Sequence, residues 1–405
     1  MLIDFNPSIC NVVKPQIVRP CFFAQESTGR DVFIKSTKMD PLYEGIKIDK
    51  KSFGKIKKTG ETAQLYTITN KNGASVDLSS FGATIVGIKV KDKKGQLIDV
   101  VQGYDSVTPY EEAPIGHAGG TIGPCANKIA GGKFKIGEKE YTLECNKDGG
   151  KSHSHGGSEG FDVQNWHAKV LKDGVEFTLL KEDMQNGYPG NVVATVIYKF
   201  DNDNNLHVNY KAISDKDTLI NMTNHSYFNL DGVKNTGENS IYNHVVKLPN
   251  SSKFAENDGM GIPTGRLVEV AGTPFDFREV KRIGDVIDSN HEQIKNSKGF
   301  DQNYCIDTYD GKSMIEVAEV KSDASGIKMK VSTNLPGFQF YTANNLGKPT
   351  QPLGKDGLRY EKRSGLCVEP QFYPNAINTE QFEENGILKA GDEYSRAIIY
   401  SFSVE

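Results

Sequence analysis

From about residue 60 onward, apolar and polar residues alternate with a period of two. QLYTITN (64–70), SVDLSS (75–80) and TIVGIKVKD (84–92) each put apolar side chains on one side of an extended chain and polar ones on the other. That is the pattern of a half-buried strand. The intervening NKNG and DKKGQ are turn sequences, rich in residues that accept positive φ or bond their own backbone. GGKFKIGEKEYTLE (131–144) predicts a hairpin closing at Gly137, and HAKVLKDGVEFTLLKE (167–182) one turning at Asp173-Gly174. VVATVIYKFDNDNNLHVNYKAIS (192–214) predicts two long strands around an Asn/Asp turn. IKMKVSTN, FQFYTANN, LCVEPQF and SRAIIYSFSV continue the pattern to the end. Helix is scarce, and REVKRIGDVID (278–288) is the best candidate.

Many short strands at regular spacing with little helix predict an all-β protein, a sandwich or a barrel. No linker divides the chain after residue 60, so residues 51–405 are expected to form one domain. Two turn-rich stretches, 145–165 and 345–362, read as loops over one face. Residues 1–50 differ, carrying Pro7, Pro15, Pro20 and Pro41 with no clear period, and read as an irregular extension.

Charge narrows the function classes. Lys+Arg number 48 against Asp+Glu 52, a net charge of −4, with no basic stripe or run. Nucleic-acid binding and attachment to an acidic membrane surface are therefore not expected. No stretch approaches the roughly 20 apolar residues of a membrane span. The first forty residues hold no apolar run longer than CFFA, short of the roughly 7–15 residues of a signal peptide. The six cysteines, Cys10, Cys21, Cys125, Cys145, Cys305 and Cys367, form no CxxC pair and no zinc or disulfide spacing. They read as reduced thiols in a cytoplasmic protein.

Three polar clusters interrupt the strand-like sequence. HSHGGSEGFD (153–162) carries two glycines that let the backbone turn sharply against a ligand. MTNHSYFNL (222–230) sets His225 between Asn224 and Asn229 beside two aromatic rings. GLCVEPQFYPNAIN (365–378) sets Glu369 after the apolar LCV, awkward for a core and suited to a cleft. A weaker fourth, GFDQNY (299–304), has Asp301 after Phe300. Taken singly each has a plain reading: a lone histidine in a β protein is more often structural, a glutamate after a strand is usually solvated, and an aspartate in a turn caps it. His117, His167, His207, His244 and His291 have less loaded surroundings.

In this order the clusters resemble the aldose 1-epimerases, also called galactose mutarotases. NHSYFNL is close to a hallmark of that family, and HGGSEGFD followed by Trp166 is similar to its HGG-x-x-G-F-D…W segment. GYPGN (187–191), GTPFDFR (272–278), GFDQNY, PGFQFYTANNL (336–346) and CVEPQFYPNAIN are similar to its other blocks. The resemblance runs from about residue 60 to the end. It implies a large galactose-mutarotase-type β-sandwich with an open sugar cleft. It also implies interconversion of the α and β anomers of free aldoses such as glucose and galactose, without metal or organic cofactor. Carried over by motif, Glu369 would be the general base and His225 the general acid. His155 would bind near the ring oxygen, Asp301 and Gln339 would bind hydroxyls, and Asn127 with Lys128 would complete the site. The only partner implied is a small-molecule sugar, with the chain acting as a monomer or homodimer.

Two departures stand out. The family's Asn-Arg pair is Asn127-Lys128 here, and lysine lacks the planar fork that donates two parallel bonds. His153 lies two positions before His155, and residues two apart on a strand share a face, so it competes for the same role.

The chemistry suits these residue types. Opening a hemiacetal moves a proton off the C1 hydroxyl while one arrives at the ring oxygen, and a placed base and acid each contribute roughly 10²–10⁴-fold. A carboxylate near His225, Glu369 or Asp301, is expected to raise its protonated share. Tyr227, Phe228, Phe340 and Tyr373 are candidate apolar walls, and Asn224 and Asn229 are expected to fix the local backbone. Three other readings remain open: a glycoside hydrolase using Glu369 and Asp301, a non-catalytic sugar-binding module, and a relative acting on a phosphorylated hexose, for which Lys128 is the only hint.

Overall fold

Where the alternation is regular it becomes strand. In the computed structural model, which describes residues 40–112, 116–382 and 384–405, VVATVIYKF forms the strand Val192–Phe200. Val192, Ala194, Val196, Tyr198 and Phe200 are buried, and the residues between them are partly exposed. It pairs antiparallel with Asn205–Ser214 in unbroken register from Val192 opposite Ser214 to Phe200 opposite Leu206. The two shorter hairpins form where expected, Lys133–Ile136 with Lys139–Thr142 and His167–Val170 with Val175–Lys181.

Three antiparallel sheets hold most of the strand residues among the described residues. The first is a five-stranded meander of Lys47–Lys55, Thr62–Thr69, Ser75–Ser79, Thr84–Lys91 and Leu97–Asp99. The second has nine strands and joins distant parts of the sequence: Glu393–Val404 lies between Asn205–Ser214 and Ile327–Thr333. The third runs Pro263–Glu269, Lys253–Asn257, Asp301–Cys305, Gly337–Tyr341, Cys367–Gln371. All three contribute to one apolar core: Ile68 and Val76 from the first, Phe177 and Tyr198 from the second, Tyr304, Phe338 and Phe340 from the third. Each such buried side chain contributes about 1.5–3 kcal/mol relative to exposure.

Helix is confined to short segments. The expected helix over 278–288 is shorter, with Lys281–Arg282 pairing as an edge strand and only Ile283–Val286 helical. Gly284 inside it, and the lack of an apolar stripe long enough to bury, leave little to extend a helix. Val107–Glu112 and Glu292–Ser297 are helices the alternation did not suggest. Among the described residues no helix is long and apolar enough to cross a membrane. Most of the expected extension, residues 1–39, lies outside the described residues. Of its remainder, Pro41–Tyr43 forms one 3-10 turn capped by the Asp40 side chain, and the first strand starts at Lys47.

The third sheet decides where chemistry can sit. Its strands Gly337–Tyr341 and Cys367–Gln371 are buried along their whole length. One face carries Tyr304, Phe338, Phe340 and Val368 into the core. The other carries Asp301, Asn303, Gln339, Tyr341, Cys367, Glu369 and Gln371, as alternation along each strand requires.

Candidate active site

Register aligns the polar face. Gln339 stands opposite both Asn303 and Glu369, and Tyr341 stands opposite both Asp301 and Cys367. Two rows therefore cross the sheet, Asn303–Gln339–Glu369 and Asp301–Tyr341–Cys367. Glu369 is mid-strand rather than at a strand end, and 2% exposed.

His225 reaches this face from another part of the fold. Thr223–Asn224 pairs with Thr121–Ile122, and Phe228 exchanges both backbone hydrogen bonds with Leu366, at 2.7 and 2.9 Å. That docks the NHSYFNL segment beside the start of Cys367–Gln371. The flanking amides do the structural work expected of them. The Asn224 amide donates to the Gly119 carbonyl at 2.8 Å, and its oxygen accepts from the Ser226 hydroxyl at 2.6 Å. Asn229 donates to the Asn235 and Ser364 carbonyls, each at 2.9 Å. So held, His225 Nε2 lies 3.6 Å from Glu369 Oε2.

The Gly-Gly turn supplies the third group. At Gly156, φ is 82°, and a Cβ there would sit 2.0 Å from the Gly123 carbonyl oxygen. Only glycine fits both the dihedral and the space. His155 just before it has φ 53° and exchanges bonds with Asn127, whose backbone N–H donates to His155 Nδ1 at 3.3 Å. That left-handed residue settles the competition between the two histidines. The strand Ser152–Ser154 ends there, so the two side chains do not share a face. His153 is fully buried, meeting the Tyr188 hydroxyl and the Glu144 carbonyl at 2.7 Å each, while His155 lines the cleft.

Every residue singled out for the site lines one cavity of about 580 Å³: Glu369, His225, His155, Asp301, Asn127, Lys128 and Gln339. Asn127 donates to Gln339 Oε1 at 3.3 Å, and Gln339 donates to Asp301 Oδ1 at 2.7 Å. Lys128 sits at the rim, 3.0 Å from Asp148 and bonded to the Met260 carbonyl. Loop residues Lys147, Asp148, Lys348 and Thr350 border the opening, so both turn-rich stretches do lie over this face.

The walls differ from expectation. Phe228 and Phe340 point into the core with 0% exposure, and Tyr373 is not among the lining residues. Tyr227 does line the cleft, stacked on His225 at 5.1 Å between ring centroids, and Tyr341 stands edge-on at 6.4 Å. His117 was not anticipated. Its ring lies 4.7 Å from that of His155 and 6.0 Å from that of His225, and its Nδ1 is 2.7 Å from Asp162. Glycines 116, 119 and 120 around it were the one sequence signal of a backbone brought close to other groups.

Burial dominates the electrostatics. It pushes His225 down to about 3, with neighbouring His117 adding to the shift. It holds His155 well below the usual histidine range. It drives Glu369 well above the usual carboxylate range, reinforced by Asp301, whose own carboxyl is also raised by burial. The expected rise of His225 next to a carboxylate does not occur, because desolvation of both partners outweighs their attraction. Burial thus favours the uncharged form of each partner, and transfer of a proton from Glu369 to His225 yields the ion pair.

Cys367 places its sulfur 3.6 Å from His225 Nδ1, and one donor atom from each of His225, Cys367 and Glu369 lies within 4.8 Å of the others. The thiol faces Nδ1 and the carboxylate faces Nε2. The donors straddle the imidazole instead of converging on one ion, which does not suit a metal site.

Comparison with known proteins agrees with this geometry. A family model described as aldose 1-epimerase matches residues 64–401. The chain is 37% identical over 360 residues to the galactose mutarotase of Mus musculus, covering 89% of this chain and 99% of that one. It is 39% identical over 330 residues to the galactose mutarotase of Bos taurus, covering 81% and 91%. Among solved structures, an aldose epimerase homologue from C. elegans superposes with a TM-score of 0.74 at 29% identity, covering 84% of this chain and 98% of that one.

Proposed function

From the premise that this chain belongs to the aldose 1-epimerase family and is a mutarotase, we propose that Glu369 and His225 are its proton-transfer pair, and that free aldohexoses such as galactose and glucose are its substrates. The observation that carries the assignment is the 3.6 Å approach of these two buried groups on the floor of the 580 Å³ cavity.

In the ion-pair form Glu369 accepts the C1 hydroxyl proton while His225 Nε2 donates to the ring oxygen. The hemiacetal C1–O bond opens to the free aldehyde. Rotation about C1–C2 presents the other carbonyl face, and closure runs the two transfers in reverse. Two protons move in each direction, one between O1 and Glu369 and one between His225 and the ring oxygen, and the pair ends as it began. Hydroxyls displace water from the cleft and donate to the carboxylate, which favours the charged form that burial alone disfavours. His155 meets the ring-oxygen side, and Asp301 with Gln339 and Asn127 forms a bonded chain for the remaining hydroxyls. Lys128 stays at the rim. On this reading residues 51–405 act as one catalytic domain, working as a monomer or homodimer in the cytoplasm. The four described cysteines, all unpaired thiols, are in keeping with a reducing compartment.

Polarimetry of freshly dissolved α-D-galactose and α-D-glucose tests the proposal. The wild-type protein should speed the approach to anomeric equilibrium, and Glu369→Gln and His225→Asn should each lose about 10²-fold or more. A Glu369→Gln protein that keeps wild-type rates would overturn the assignment of the base.

A further inference from the structure

The polar face of the third sheet holds two amides that the mechanism above does not use. Gln371 follows Glu369 by two residues on the same strand and shares its face. Asn303 stands opposite Gln339, which stands opposite Glu369. Gln371 is 0% and Asn303 1% exposed, and in both the amide nitrogen and the amide oxygen lack a hydrogen-bond partner, as does Glu369 Oε2. Buried side-chain amides almost always have partners, so two such groups on the same face as a carboxylate oxygen with no hydrogen bond call for an explanation.

Gly337 brings them together. It lies opposite Gln371 on one side and Cys305 on the other, next to the row of Gln339. A Cβ at Gly337 would meet Asn303 Oδ1 at 2.8 Å and the Tyr373 ring at 2.8 Å. The Asn303 amide oxygen therefore lies over Gly337, whose other neighbour across the sheet is Gln371.

We propose that Gln371 and Asn303 are positioning residues for the base, whose amide N–H groups turn to donate to the Glu369 carboxylate, directly or through one bridging water, when it gives up its proton. This rests on Glu369 being the base. The need is physical, since a carboxylate in so dry a site is ionised only if donors compensate its lost hydration. The other titratable groups facing Glu369 offer little help. Asp301 repels it, His225 donates only in the ion pair, and the Tyr227 hydroxyl, the Tyr400 hydroxyl and the Cys367 thiol are engaged by the Gly116 carbonyl, the Val368 carbonyl and His225 Nδ1. Neutral amides that can rotate serve both states, offering oxygen to the protonated acid and nitrogen to the carboxylate.

The test reads the protonation of Glu369 itself. Infrared titration of the substrate-free protein follows the carboxylic-acid carbonyl band that Glu369→Gln removes, in wild type, Gln371→Met and Asn303→Leu. Loss of a donor should raise the midpoint of that band by about one pH unit. The acidic limb of kcat/KM should move up with it, kcat at neutral pH should fall about tenfold, and KM should stay within about twofold. A merely structural role for the amides would leave both midpoints in place. The two substitutions lie on different strands, so the second guards against a variant that does not fold. An unmoved infrared midpoint in both variants would overturn the proposal. Because the band reports Glu369 whether or not catalysis depends on it, that outcome is distinct from failure of the base assignment, which the polarimetry of Glu369→Gln reads.

Discussion

The two faces of the third sheet come from the same strands and differ in everything but backbone. On the core face Phe338 packs on Tyr304 at 5.6 Å and Phe340 meets Phe300 at 5.6 Å, with no polar atom in need of a partner among those rings except the Tyr304 hydroxyl, which reaches the Phe275 carbonyl at 3.1 Å. On the cleft face, one residue along each strand, carboxyl and amide groups lie side by side, several of them unsatisfied. The core face is complete in the folded chain alone. The cleft face leaves buried polar groups without partners, which costs stability that the core face does not carry.

The largest effects should separate the faces cleanly. Glu369→Gln is expected to lose about 10²–10⁴-fold in mutarotation rate by polarimetry. It should also melt higher than wild type at neutral pH. The native carboxyl keeps its proton well above the usual range while the unfolded chain ionises near 4.5. Stability linked to this group therefore declines as pH rises past about 4.5, and glutamine removes that decline. A variant that loses both activity and stability would show that the cleft face also holds the fold.

Phe338→Ala on the other face should do the reverse. It should cost about 3–5 kcal/mol in chemical denaturation, and the protein that remains folded should keep its kcat. A marked fall in kcat with little loss of stability would mean that the faces are not independent.

A smaller effect concerns acid. His225 is held neutral down to about 3, against about 6.5 in the unfolded chain. Between those values the unfolded state binds the additional proton, so stability contributed by this group falls as pH drops from about 6.5 toward about 3. His225→Asn should show a shallower loss of melting temperature across that window. An identical slope would place the histidine in a wetter setting than its 6% exposure indicates.

The smallest expected change is at the rim. Lys128→Arg should alter KM by no more than about threefold, because Lys128 is engaged by Asp148 and the Met260 carbonyl and arginine preserves the charge. Lys128→Ala should raise KM further while sparing kcat, and a kcat loss comparable to that of His225→Asn would move Lys128 into the chemistry.

Much of this was legible beforehand. Alternation at 192–214 and 167–182 located strands and turns because each strand there has one buried and one partly exposed face, which is what period two reports. It failed to distinguish the faces of FQFYT and LCVEPQ. Both sides of those strands are buried, so Phe340 read as a possible cleft wall and Glu369 as a strand end. The HGG and NHSYFNL motifs marked His155 and His225 through the residues around them. His117 carried no such motif, and only the packing of its loop against Asp162 and the other two rings brought it into the cleft.

By itself, then, the sequence determined the class of fold and the order of the strands' punctuation, because these depend on local periodicity, and its motifs, through their resemblance to a family, pointed to the residues proposed here as acid, base and hydroxyl ligands. The tertiary structure alone decided which histidine of 153 and 155 lines the cleft, which aromatic rings wall it, and in which direction the His225–Glu369 pair is shifted. Those depend on a left-handed φ at one residue, on register between strands distant in the chain, and on how much water is excluded when three sheets close over one core. None of these quantities is a property of any short stretch of residues.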